Sequence, residues 1–248
     1  MLPRRALLCL MLLWPVAART AEPIKVAAAA DLRLALPPFI DRHAAASGAR
    51  FTVSYGSSGQ MVQQALHGAP FQLLLLADAS HAARLVAGRP GAMSRPYALG
   101  RLALVARPGS GITSLDGLAA AIRSGRLRRL AIANPAHAPY GVAARAVLAG
   151  LGVADAAPLA LGDNVAQALS FVATGAADAG LVALPLARAE SGLMVVPVSP
   201  ALHPPLVQTL VLLPGASSQA RALAAALTGP NGRAALARAG FGLPDSGK

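Results

Sequence analysis

Two stretches of this 248-residue sequence put small or hydroxyl-bearing residues where a strand must give way to a helix. Val26-Ala27-Ala28-Ala29-Ala30-Asp31-Leu32 runs without a Gly-Pro turn into a helical period headed by Asp31. Tyr55-Gly56-Ser57-Ser58-Gly59 repeats the arrangement with two serines. The first backbone N–H groups of a helix have no acceptor of their own and sit at the positive end of its dipole. Such junctions therefore attract an anion where other segments close over them. Ser57 or Ser58 would cap the second helix, and Ser58 is either only that cap or a hydroxyl that also faces a ligand.

Covalent and acid–base chemistry find less material. Gly56-Ser57-Ser58-Gly59 misses the G-x-S-x-G nucleophile elbow because Gln60 stands where the final glycine belongs. There is no Walker loop, and His43, His67, His81, His137 and His203 have no short metal-ligand spacing, so neither a metal site nor a catalytic centre is expected. Acidic residues are sparse and form no persuasive pair. An exported enzyme would have to rely on Asp31 as its base.

The elements that must position these junctions alternate between short apolar runs and helical periods, the pattern of an α/β protein. Ile24–Ala28 reads as a strand, and Leu32, Leu36, Phe39 and Ile40 then share one helical face behind an Asp31 cap. Pro37 and Pro38 kink that helix or delay its regular part. Strand 50–54, the Ser57 or Ser58 helix, the doubly buried run Phe71–Ala77 and a helix headed by Asp78 complete three β–α units. Leu102–Ala106 leaves this batch, with Thr113 and Asp116 resembling a capping box for the helix that follows. A second batch has strands at Arg129–Ala133 and Ala179–Leu184 and a helix capped by Asn164. Strands at Met194–Val198 and Leu206–Leu213 and a terminal helical pair broken at Gly229-Pro230 close the chain. Two batches joined by two crossing segments make two lobes and a hinge, with a ligand cleft between them. The expected division is lobe I over 22–101 plus 208–248 and lobe II over 102–207. Arg101 would line the hinge or face solvent, His137 would be a surface histidine, and His203-Pro204-Pro205 a rigid turn.

Arg4 and Arg5 precede the apolar run 6–14, which is too short to span a bilayer, and small residues follow. Residues 1–21 read as a secretory signal peptide cleaved after Ala18 or Ala21, which implies a periplasmic protein. The single cysteine, Cys9, lies inside it, so no disulfide is expected after processing. The formal charge of +12 favours anionic partners in general. Scattered arginines and three tyrosines give no nucleic-acid signature.

Taken together, Val26–Leu32, Val53–Gly59, Gly68-Ala69-Pro70 with Leu76-Ala77-Asp78, Asn134–Gly141, Asp163-Asn164-Val165 and Gly180–Ala183 resemble the molybdate-binding periplasmic proteins of ABC importers. The resemblance covers residues 24 to 242 in family order. It implies a type II periplasmic binding fold, each lobe a mixed sheet flanked by helices. It also implies a monomer that needs no cofactor, captures a tetrahedral oxyanion, molybdate or tungstate first, and delivers it to a membrane permease. In that family hydroxyls and backbone N–H groups hold the anion without arginine or metal. Position by position, the resemblance implies a ligand shell of Ala30 and Asp31, Ser58, Tyr140 and Val165 through their N–H groups, and Ala183.

Two positions depart from the family: Asp31 stands where a serine is frequent, and Ala183 where a tyrosine is. A carboxylate about 4 Å from an anion costs on the order of 4 kcal/mol per charge pair at an effective dielectric near 20, more than the roughly 0.3–1 kcal/mol that a helix end contributes. Asp31 would then turn away to cap its helix, or accept a hydrogen bond from a protonated oxyanion, or the ligand is not a simple dianion. A different oxyanion or a small organic acid on the same fold is the alternative to molybdate.

Overall fold

The computed structural model describes residues 22–244. The expected signal peptide and its cleavage points lie outside the described residues.

Two five-stranded mixed sheets, one per lobe, carry the architecture. In chain order the first is entered through β1 (Ile24–Ala29), a single 3-10 turn at Ala30–Leu32, α1 (Pro37–Ser47), β2 (Phe51–Gly56), α2 (Ser58–Leu66), β3 (Leu73–Leu76), α3 (Ala79–Gly88) and β4 (Met93–Leu99). The second holds β5 (Leu102–Ala106), α4 (Leu115–Arg123), β6 (Leu130–Ala133), α5 (Pro139–Gly150), β7 (Leu159–Gly162), α6 (Val165–Ala173), β8 (Ala179–Ala183), α7 (Leu184–Ala187) and β9 (Met194–Pro197). The chain then returns to the first sheet with β10 (Val207–Leu212) and ends on α8 (Ser218–Thr228) and α9 (Pro230–Ala239). Strand order is β2-β1-β3-β10-β4 in one sheet and β7-β6-β8-β5-β9 in the other. β1 runs parallel to β2 and β3, and β6 to β7 and β8, while β10 and β5 are antiparallel to their neighbours.

Helices on both faces of each sheet explain the unbroken apolar strands. β3 is four leucines, all buried; Leu74 and Leu76 feed one core and Leu73 and Leu75 the other, as the alternation of strand side chains requires. The expected helix behind Asp31 is two elements. A 3-10 turn is followed by α1, which begins at Pro37 with its prolines in the first turn, where a missing N–H costs nothing. Leu32, Leu36, Phe39 and Ile40 are nonetheless all buried in one core.

Asp31 does not cap: no side-chain bond caps the turn or α1. Ser57, not Ser58, caps α2, and Ser114 rather than Thr113 caps α4 by accepting from Gly117 N at 3.0 Å. Asp78 and Asn164 cap as expected. β4 and β7 are not marked by the sequence pattern. Both are sheet edges, and β4 carries exposed residues at its start and Pro96 beside a register shift, features that hide a strand from pattern reading.

The two crossings run together. Gly100-Arg101 links β4 to β5, the segment after β9 leads back to β10, and Gly100 N donates to Leu206 O at 2.8 Å.

Candidate anion-binding site

In each sheet, adjacent parallel strands end in register and deliver helix starts to the same place. Ala29 pairs with Gly56 at the ends of β1 and β2, and Ala133 with Gly162 at the ends of β6 and β7. Ligand sites of open α/β sheets form at such carboxyl ends. Here a small cavity lies between them. From one lobe it is lined by Ala29, Ala30, Asp31, Gly56, Ser57, Ser58 and Ala77, and from the other by Ala138, Pro139, Tyr140, Asn164 and Val165. Its free volume of about 10 Å3, roughly that of one water, is far below the roughly 300–1,000 Å3 of sites that take drug-sized organic ligands, so only a very small ligand could sit between the lobes.

Ala30, Asp31, Ser58, Tyr140 and Val165 are thus gathered on one wall-to-wall space. Ala183 is not in its lining. It ends β8 opposite Leu102, fully buried, where α7 begins. Arg101 is also elsewhere, in a separate surface groove with Arg188 and Phe241. As first-turn residues, Ser58, Tyr140 and Val165 carry N–H groups that their own helices leave without an acceptor. The Asn164 carboxamide oxygen takes the N–H groups of Ala166 and Gln167, both at 3.1 Å, and leaves that of Val165 to the cavity. Ser58 Oγ accepts from Ala77 N at 2.9 Å, so its own proton is available to an acceptor.

No Lys, Arg or His side chain lines the cavity. The one ionisable carboxylate does: Asp31, wholly buried. Gln208 Nε2 donates to its Oδ2 at 2.6 Å, and Gln208 Oε1 accepts from Tyr97 Oη at 2.9 Å. Asp31 Oδ1 and Tyr140 Oη each lack a well-formed partner, and the two side chains are close enough across the lobes for each to perturb the other's titration. Burial raises the Asp31 pKa from 3.8 to about 6, against smaller lowering contributions from Tyr140, Gln208 and the N–H groups of Asp31 and Leu32. Burial, and then the Asp31 charge, hold the hydroxyls of Tyr97 and Tyr140 well above the usual phenol range.

The lobes also meet at His137. Gly59 N donates to His137 O at 2.9 Å, and Ser57 Oγ lies 2.9 Å from His137 Nδ1. His137 is therefore a bridging residue rather than the expected surface histidine. Gln208 was not singled out from sequence; its signal was a lone amide in the apolar run Leu206–Leu213.

Two outcomes follow from this geometry. A Cβ on Gly59 would lie 2.8 Å from His137 O and 2.9 Å from His137 Cβ. Gly59→Ala is therefore expected to oppose closure by about 1–3 kcal/mol, read as a larger radius of gyration in small-angle X-ray scattering and weaker anion binding. Unchanged values would mean that the lobes do not meet here in solution. For Asp31, a folded-state pKa raised above 3.8 means that the native state holds the proton more tightly. Its stabilising contribution is full below about pH 3.8 and is lost as pH rises to about 6. Asp31→Asn should then be the more stable protein at pH 7.5, by up to about 3 kcal/mol in urea unfolding, and should lose that advantage towards pH 4.

The sequence matches the bacterial extracellular solute-binding protein family over residues 24–242. It is 35% identical over 239 residues to the molybdate-binding protein ModA of Azotobacter vinelandii, covering 92% of each chain. Over 183 residues it is 35% identical to ModA of Rhodobacter capsulatus, covering 72% of this chain and 71% of that one. Among solved structures, the periplasmic molybdate-binding protein of Azotobacter vinelandii superposes with a TM-score of 0.80 at 29% identity, covering 90% of this chain and 100% of that one. These are binding proteins rather than enzymes, which sets aside Asp31 as a catalytic base. A family match across both lobes, with relatives of the same length and fold, places the chain: it belongs to the bacterial extracellular solute-binding proteins, in the group of the molybdate-binding ModA proteins.

Proposed function

We propose that this chain is the periplasmic substrate-binding component of an ABC importer and captures a tetrahedral oxyanion, molybdate or tungstate, in the cavity between its lobes. The observation that carries the reading is the convergence of first-turn N–H groups from α2, α5 and α6, with the Ser58 hydroxyl, on one small space without a cation. The name of the relatives supplies the ligand class. The lobes are 22–101 with 208–248, and 102–207, and the unit is a monomer. The anion bridges them, and its contacts in the closed form shift the open–closed equilibrium. Closed lobes then form the surface that a permease recognises. Ala30, Asp31, Ser58, Tyr140 and Val165 form the ligand shell, and Ala183 lies outside it. Asp31 favours one second reading, a different oxyanion or a small organic acid on the same site.

A thermal-shift panel of molybdate, tungstate, sulfate, phosphate and small carboxylates separates the two. A true ligand at a hundredfold its Kd adds about 2.7 kcal/mol of stability, and a response to carboxylates alone would overturn the oxyanion reading. The backbone donor can be removed in place. Val165 opens α6 behind the extended Asn164, a position that accepts proline. Val165→Pro is expected to keep the fold and lose about 10–100-fold in oxyanion affinity, the worth of one hydrogen bond to a charged group, by isothermal titration. Undiminished affinity would take Val165 out of the shell.

A further inference from the structure

A buried carboxylate in the wall of an anion cavity needs a reason. The Asp31 carboxylate, which only accepts while ionised, orients the network. Gln208 Nε2 donates to Asp31 Oδ2, and Gln208 Oε1 accepts from Tyr97 Oη. Oδ1 is the oxygen left over, buried and without a well-formed partner, on a residue that lines the cavity. No counter-charge stands nearby. α5 presents Tyr140 to Asp31, β4 presents Tyr97 and β10 presents the uncharged Gln208. α7 has only Leu184, Pro185, Leu186 and Ala187, and the first turn of α6 has only Asn164 and Val165 beside the cavity. β2 contributes Tyr55, whose ring lies 5.9 Å from the Arg33 guanidinium, and α2 begins with Ser57 and Ser58. His137, tied to Ser57, is the remaining ionisable group beside the cavity wall.

We propose that the site takes up one proton together with each oxyanion, and that this proton resides on Asp31 Oδ1, converting the carboxylate into a neutral acid that donates a hydrogen bond to the anion. The inference rests on the oxyanion reading and deepens it, because it makes Asp31 the residue that sets how the site responds to ligand charge. The proton comes from the solvent and adds to Oδ1; no bond in the anion breaks. With Oδ2 accepting from Gln208, the acid O–H is the only donor that the Asp31 side chain can offer. Burial has already brought its pKa to about 6, so protonation at neutral pH is a modest step. Affinity then falls as pH rises, by up to tenfold per pH unit.

The test is calorimetric titration of the full mature chain with sodium molybdate at pH 8 in two buffers of different ionisation enthalpy. The difference in heat counts the protons taken up. Wild type is expected to take up about one proton per anion, and Asp31→Asn and Asp31→Ser close to none, with molybdate affinities that no longer vary between pH 7 and 9. Saturable molybdate binding by wild type without proton uptake would overturn the inference and leave the oxyanion reading standing. Uptake that persists in both variants would overturn it by placing the proton elsewhere, His137 first. No saturable binding of either molybdate or tungstate would remove the oxyanion reading and this inference with it.

Discussion

An anion held where no cation reaches it must draw its stabilisation from many small dipoles at once, and that requirement shapes both lobes. One helix end contributes roughly 0.3–1 kcal/mol, and a single hydrogen bond to a charged group about 1.5–3 kcal/mol, so one junction alone makes a weak site. Several must be brought within contact of one ion and kept there. Parallel pairing does this without side-chain machinery: with Ala29 opposite Gly56, and Ala133 opposite Gly162, each sheet releases two chain segments at the same level. The starts of the 3-10 turn and α2 then face those of α5 and α6 across a narrow gap. Moving any of these strands by one register position would carry its helix start about 3.3 Å along the sheet, enough to lose a hydrogen bond.

The cavity is coupled to the hinge through the Asp31 network. Gln208 sits at the start of β10, just after the return crossing, and Gly100 sits in the outward one. A Cβ on Gly100 would lie 2.7 Å from Tyr140 Oη and 3.0 Å from Gln208 Nε2, so the crossings pack directly against the polar chain. Asp31, Gln208 and Tyr97 belong to the first sheet's lobe and Tyr140 to the second. Opening the lobes must therefore part Tyr140 from Asp31 and admit water to the carboxylate, which favours its ionised form. Closure reverses both changes. The geometry of the hinge and the charge on Asp31 are two views of one equilibrium.

Much of this was legible in the residues. Strand-to-helix junctions, the Asp78 and Asn164 caps and the doubly buried β3 follow from local rules of capping and periodicity, and Ala30, Asp31, Ser58, Tyr140 and Val165, though not Ala183, line one cavity. What escaped depends on long-range pairing. β4 and β7 are edge strands whose partners, not their own patterns, make them strands. Asp31 looks like a helix cap in sequence because its partner Gln208 is 177 residues away. His137 looks exposed because the opposite lobe that covers it is contributed by Ser57 and Gly59.

A shell made of backbone donors has an uneven tolerance for sequence change. The N–H of Tyr140 or Val165 persists whatever side chain follows it, so long as the helix starts in the same place and proline is avoided. Ala183 illustrates the tolerance, since a small residue there stands outside the lining and leaves those amides in position. Side chains that line the cavity have no such latitude. Asp31 is the only carboxylate among them, and no cationic side chain in the lining offsets it. Discrimination among anions of one shape therefore cannot come from the amides, which see only partial charge and size. On the proposed reading it falls to the oxygen of Asp31 that Gln208 leaves free, and to whether that oxygen carries a hydrogen.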